Sequence, residues 1–258
     1  MSGLPEGLSD ALRRCTSNAP FLIGLDFDGV LAPIVAVPSA ARIPAATREA
    51  LDALVGAAGR GHIALVSGRS LADLAAVADP PPGVTLVGSH GAEVAGAPPV
   101  LTDVEQELLA EIIEAVQAVV DGHRGTMRED KPAGVVLHTR NADRNAAAAA
   151  TAAVLNGPAR LAGIRTTTGK EVVELSVLDV DKGLALHRLR VELGAGGALY
   201  VGDDVTDEHA FAVLDDDDGD VTIKVGDGPT GARWRISGTE AVPELLAAIA
   251  AAMAARTP

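Results

Sequence analysis

The chain has 258 residues, 48% of them hydrophobic, enough to bury the core of one large domain or of two small ones, so it is not a disordered chain. Its 21 basic and 35 acidic residues leave a formal net charge of -14, which repels phosphate backbones and anionic lipid, and its 2% aromatic content offers little for stacking on bases; nucleic acid and membrane surfaces are excluded as partners. The single cysteine, Cys15, rules out an internal disulfide, no charged-then-apolar leader precedes the first strand, and no apolar run approaches the roughly 18 residues of a membrane span, so a soluble cytoplasmic protein is expected.

Leu8 to Arg14 reads as a short leading helix. The unbroken apolar run Phe21 to Leu25 predicts a strand buried on both faces, as in a parallel sheet, and DFDGV (Asp26 to Val30) places two carboxylates one residue apart at its carboxyl end, where ligands of such sheets gather. Turn chemistry alone also favours Asp-x-Asp-Gly there, as an Asx-type turn closing the strand. The device recurs: His62 to Val66 runs into SGR, Val84 to Val87 into GSHG, and Ala198 to Val201 into GDD. Helical stretches at Ala45 to Ala58 and Leu71 to Val77 alternate with these strands, as in βαβ units. From about Thr102 the pattern changes to a long amphipathic helix (Val104 to Val120), two strand-like pieces within Gly125 to Thr139, an Ala-rich helix (Ala142 to Leu155) and two more strand-like pieces ending near Val177. Val221 to Val225 adds a possible further strand, and Val242 to Ala255 a closing helix with Pro243 in its first turn. The expected fold is α/β: a Rossmann-like parallel-sheet core over residues 1–100 and 178–258 with an α+β insert over 101–177, hinged at Pro98-Pro99 and Ser176 to Asp181.

A second acidic motif, GDDVTDE (Gly202 to Glu208), supplies Asp203, Asp204, Asp207 and Glu208 at another strand end. Carboxylates crowded together raise one another's pKa unless a cation neutralises them, and oxygen-only donors suit Mg²⁺, with Asp26 and Asp203 as direct ligands. An EF-hand loop is excluded, because Leu31 and Val37 stand where its glycine and bidentate glutamate belong. The run Asp215 to Asp220 reads as a solvated turn, and GAGG at Gly194 to Gly197, which precedes a strand, as a loop. An aspartate nucleophile needs donors for the transferred group and a second acid for the leaving group. Ser67 and Lys182 fit the first need and Asp28 the second, although Ser67 read singly is also a helix cap and Lys182 a solvated helix-start lysine.

Together, DFDGV, Ser67, Lys182 and GDDVTDE resemble the four ordered motifs of the haloacid-dehalogenase-like phosphatases, over nearly the whole chain. The resemblance implies a core with an inserted cap, Asp26 as nucleophile, Asp28 as general acid and base, and an Mg²⁺ site formed by Asp26, Asp28 through its carbonyl, and Asp203, with Asp207 supporting. More narrowly, GSHGAE (Gly88 to Glu93), EDK (Glu129 to Lys131), GKEVVE (Gly169 to Glu174) and GDDVTDE resemble trehalose-6-phosphate phosphatases. That implies trehalose 6-phosphate as the small-molecule partner, substrate contacts from Glu129, Lys131, Lys170 and Glu174 on the cap, and from Arg69 and His90 near the cleft. Val30, where Thr is more frequent, and the PAG after EDK depart from the two patterns. With no glycosyltransferase-sized segment before the first strand, a stand-alone monomeric phosphatase is expected. A phosphatase for another sugar phosphate, such as sucrose phosphate, and a silent sugar-phosphate-binding module are the alternatives.

Overall fold

The computed structural model describes residues 3–96, 99 and 101–255. Its contacts divide into two compact units, one running up to Gly96 and resuming at Asp181, the other ending at Val180. Pro98, expected as a hinge, lies outside the described residues.

In the first unit, α1 (Leu8–Ser17), β1 (Phe21–Leu25), α2 (Ala45–Ala57), β2 (Gly61–Val66), α3 (Leu71–Ala78), β3 (Val84–Gly88) and β4 (Glu93–Val94) precede the insertion. The insert holds α4 (Asp103–Gly122), β5 (Met127–Lys131), β6 (Gly134–His138), α5 (Arg144–Asn156), β7 (Arg165–Gly169) and β8 (Val172–Ser176). The first unit then resumes with α6 (Lys182–Leu193), β9 (Gly197–Gly202), α7 (Glu208–Ala212), β10 (Val221–Val225), β11 (Trp234–Ile236) and α8 (Val242–Ala254).

The large sheet has the order β11-β10-β9-β1-β2-β3-β4 and is parallel except for the β3–β4 edge. All five residues of β1 are buried, as an apolar run without alternation requires of a central strand. Phe21, Ile23 and Leu25 pack with α1, α2, α3 and α8 on one face through Leu12, Leu51, Leu74 and Leu246. Leu22 packs on the other, with Leu186 and Leu189 of α6, Tyr200 and Phe211. Each such aliphatic side chain contributes about 1.5–3 kcal/mol by leaving water. Gly24 lets this second layer close: a Cβ there would lie 2.6 Å from the Tyr200 ring and 2.9 Å from Leu186. In register, Leu25 is level with Leu65 on β2 and with Val201 on β9. Successive strands leave β1 toward β2 on one side and return as β9 on the other, so a topological switch point lies at the carboxyl end of β1.

The insert is an antiparallel sheet, β5-β6-β8-β7, with α4 and α5 against one face, burying Ile112, Val116, Ala150 and Val154 with Val135, Leu137, Val173 and Leu175. Its helices start as their sequences dictate: Thr102 and Glu105 form a capping box on α4, and the Asp143 side chain accepts the Asn145 and Ala146 N–H groups of α5. Alternation along the strands turns Glu129, Lys131, His138 and Glu174 to the opposite face.

Two differences from the sequence reading have physical causes. The edge strands β4 and β11 are two and three residues long, too short to show a period. The acidic run does turn at Asp215 to Asp220, but Asp220 is buried, accepting from Arg190 at 2.6 Å and from the Ala198 N–H at 2.9 Å, so it is a buttress under β9 and not a solvated residue. Among the described residues, no helix is long and apolar enough to cross a membrane.

Candidate active site

Beyond Leu25 the chain stays in the ladder for one more residue: the Asp26 N–H donates to the Val201 carbonyl at 2.9 Å. That leaves the Asp26 carboxylate buried at the strand end, with Oδ1 accepting the Phe27 N–H at 2.8 Å. Lys182 is the first residue of α6, after Asp181, whose side chain caps the helix by accepting the Leu184 N–H. It is indeed a helix-start lysine, yet it is 2% exposed, and its ammonium lies 3.0 Å from Asp26 Oδ1 and 2.8 Å from Asp207 Oδ1.

Asp207 is fully buried and takes four donors: Lys182 and the Tyr200 hydroxyl on Oδ1, the Asp203 and Asp204 N–H groups on Oδ2. It therefore shapes the GDD turn as well as holding the lysine. Oxygens of Asp26, Asp203 and Asp207 all lie within 4.8 Å of one another. Gly29 permits this approach; its φ is +80°, and a Cβ there would lie 1.9 Å from Asp203 Oδ2. Asp204 is exposed.

The charges do not balance: Lys182 is the ammonium among the three carboxylates, and Lys224 reaches the Asp203 carbonyl and not its carboxylate. Burial first, then Asp207, pushes the Asp26 carboxyl well above its ordinary value against the pull of Lys182. Burial, Asp207 and Asp204 push Asp203 up to about 6. Burial pulls Lys182 down, but Asp26 and Asp207 outweigh it and the net shift is upward, so the lysine stays charged. Hard oxygen donors held together at this cost are the donor set that a divalent cation satisfies.

Asp28 has different company. Arg69 grips it from two nitrogens, Nε to Oδ2 at 2.6 Å and Nη2 to Oδ1 at 2.7 Å, while Nη1 reaches Asp73 at 2.6 Å and the guanidinium lies 5.4 Å from the Phe27 ring centroid. Arg69 thus meets a carboxylate of the site in a fork. Ser67, at the end of β2, is buried; its N–H donates to Val87, its carbonyl accepts from His90, and its Oγ accepts the Arg69 N–H at 3.2 Å. Ser70, and not Ser67, caps α3. His90 sits in a 3-10 turn where Ser89, His90 and Gly91 all have positive φ (47°, 54° and 112°), a strained path held by the buried Glu93, which accepts the Ser89 hydroxyl at 2.5 Å. The His90 ring lies against Gly68, where a Cβ would come within 2.6 Å of it.

Within the insert, Lys131 pairs with Glu174 at 2.8 Å and Glu129 with His138 at 2.7 Å; Lys170 is exposed in the β7–β8 turn. Four residues in these networks escape a sequence reading. Tyr200 is the only tyrosine of the chain, His138 closes an apolar strand, and Asp73 lies one helical turn after Arg69. Lys224, buried in β10, donates to the Asp203 carbonyl; a lysine inside the apolar run VTIKV was the visible signal.

The trehalose-phosphatase family model matches residues 24–241. The chain belongs to the trehalose-phosphatase family. A trehalose-phosphate phosphatase of Mycobacterium avium (strain 104) is 38% identical over 236 residues, 82% of this chain and 56% of that protein, so the chain spans about half the length of the curated relatives it matches. A crystal structure of a trehalose-6-phosphate phosphatase related protein superposes with a TM-score of 0.70 at 26% identity, covering 92% of this chain and 100% of the other. The C-terminal domain of the C. albicans trehalose-6-phosphate phosphatase gives 0.73 at 22% identity over 96% and 98% of the two chains, a likeness of fold. The α/β architecture of this family member is that of haloacid-dehalogenase-like hydrolases.

Proposed function

We propose that the chain hydrolyses trehalose 6-phosphate to trehalose and phosphate through an aspartyl-phosphate. The observation that carries this reading is the parting of two carboxylates one residue apart: Asp26 enters a buried lysine–carboxylate cluster, whereas Asp28 turns to Arg69. Like side chains in unlike surroundings suit unlike tasks. An Asp26 oxygen attacks phosphorus; the bond to the sugar O6 breaks, and that oxygen takes a proton from Asp28. In the second half Asp28 takes a proton from water, the water oxygen attacks phosphorus, and the Asp26 carboxylate is released. Lys182 and Ser67 stand where phosphoryl oxygens need donors, and Arg69 fixes the plane of the Asp28 carboxylate.

The residues present fit Mg²⁺. Asp26 and Asp203 would hold it by carboxylate oxygens and Asp28 by its carbonyl, with Asp207 supporting; when bound, the ion neutralises charge between the nucleophile and the substrate phosphate. The insert's polar sheet face, with Glu129, Lys131 and Glu174, supplies the paired acceptors and donors that a disaccharide's hydroxyls require, and Lys170, Arg69 and His90 are further candidates for substrate contact.

Phosphate release from trehalose 6-phosphate, with and without Mg²⁺, tests the reading. Turnover should require the ion and fall on the order of a thousandfold or more in Asp26→Asn. Undiminished turnover by that variant would sink the mechanism, and preference for sucrose phosphate in a substrate panel would sink the substrate.

A further inference from the structure

The polar face of the insert is ordered by its ladder. One row runs Met127, His138, Val172, Gly169, the next Glu129, Val136, Glu174, Thr167, and the third Lys131, Gly134, Ser176, Arg165. Lys131 reaches Glu174 across β6 because Gly134, level with it, has no side chain; a Cβ at Gly134 would also lie 2.4 Å from the Leu175 carbonyl oxygen. His138 stands diagonally from Glu129, the spacing at which cross-strand side chains meet.

Each acidic side chain on this face thus has a nitrogen partner on one oxygen. Lys131 Nζ donates to Glu174 Oε2 at 2.8 Å, and His138 Nε2 approaches Glu129 Oε2 at 2.7 Å. A carboxylate only accepts, so Nε2 carries the hydrogen. The second oxygen of each carboxylate remains as an acceptor for a hydroxyl. A glutamate has three rotatable bonds, and an acceptor on so flexible a stem recognises a sugar well only when a second contact fixes it.

Resting on the function proposed above, we infer that His138 is a positioning residue for the disaccharide: it holds Glu129 Oε2 so that Oε1 meets a sugar hydroxyl. His138 makes no contact with the phosphate in this scheme. Its removal should act on sugar binding and leave the phosphoryl chemistry intact.

The test compares wild type with His138→Ala, His138→Gln, Glu129→Ala and the His138→Ala/Glu129→Ala pair. The readouts are KM and kcat for trehalose 6-phosphate, trehalose binding by calorimetry, and turnover of p-nitrophenyl phosphate, which carries no sugar. His138→Ala should raise KM and weaken trehalose binding about tenfold, the scale of one hydrogen bond to a charged group, with kcat and p-nitrophenyl phosphate turnover within about twofold of wild type. His138→Gln, whose amide N–H replaces the ring donor, should recover most of the loss, and the double variant should bind no worse than Glu129→Ala. Unchanged KM and trehalose affinity in His138→Ala overturns the inference, as does strict additivity in the double variant or an equal loss on p-nitrophenyl phosphate. If wild type fails to turn over trehalose 6-phosphate, the proposed function falls; trehalose affinity still judges His138, and an absence of trehalose binding by wild type overturns this inference too.

Discussion

Two lysines of this chain do the same thing in different company. Lys182 in the first unit and Lys131 in the insert each meet a carboxylate at 2.8 Å. Around Lys182 the partners come from strand ends and turns distant in sequence, Asp26 and Asp207 are almost fully buried, and negative charge exceeds positive. On the insert's polar face Glu174 and Glu129 each have their own nitrogen partner, Lys131 and His138, across an antiparallel ladder, and the Glu129–His138 pair is more than a third exposed. An unbalanced buried cluster stores electrostatic free energy that a cation can release; a charge-balanced face can only present hydrogen bonds. The first arrangement suits chemistry, and the second suits recognition.

Removing one partner from each region is the most direct way to break that contrast. Lys182→Met leaves Asp26 and Asp207 buried without their ammonium and should destabilise the fold by about 3–5 kcal/mol, with phosphate release falling to background. Glu129→Ala should change stability by no more than about 1 kcal/mol, because its pair is screened by solvent. Urea denaturation of the two variants measures both. Equal losses would show that exposure does not separate the regions.

The contrast within the first unit is sharpened by Arg69. If its fork positions Asp28 for proton transfer, Arg69→Lys should slow turnover of trehalose 6-phosphate, whose alkoxide leaving group needs a proton, by about ten- to hundredfold. Turnover of p-nitrophenyl phosphate, whose leaving group needs none, should fall far less, and KM for the sugar phosphate should stay near wild type. A rise in KM with kcat unchanged would make Arg69 a substrate contact instead.

What the sequence shows and what it hides follows the same division. Parallel strands carry their catalytic residues at their carboxyl ends, so DFDGV, Ser67 and GDDVTDE could be read one after another as punctuation of apolar runs, and register brought Leu25, Leu65 and Val201 level. Tyr200 was hidden because it lies inside a run that reads as core, and only tertiary packing brings its hydroxyl to Asp207; Lys224 stood out in its apolar run, but its partner, the Asp203 carbonyl, did not. Arg69's partner was hidden for another reason: Asp28 lies 41 residues away, and no spacing rule links them. On the insert, Glu129 and Glu174 came from resemblance, whereas His138 became visible only through the ladder, since pairing across strands is a fact of register.

Titration offers the finest test of the comparison. Asp203 has its pKa raised from 3.8 to about 6 by burial and by its acidic neighbours, so the folded state binds that proton more tightly than the unfolded chain does. Its contribution to stability is present below pH 3.8 and is lost as pH rises through about 6, above which the carboxylate is ionised in an unfavourable field. Cation binding requires the ionised form. Mg²⁺ at about ten times its Kd should therefore raise the melting temperature by about 4 °C near pH 7.5 and by clearly less near pH 5, where the proton competes. Glu129 moves the other way: its hydrogen bond from His138 holds its pKa below 4.5, so its contribution is present above that value and lost only as pH falls through the lowered one, with no link to Mg²⁺. Asp203→Asn should weaken the Mg²⁺ shift and reduce its pH dependence to the part that the raised Asp26 carboxyl supplies, and Glu129→Gln should leave both intact. An equal shift at both pH values, or one of undiminished size in Asp203→Asn, would remove the cation from the acidic cluster and with it the distinction between the two regions.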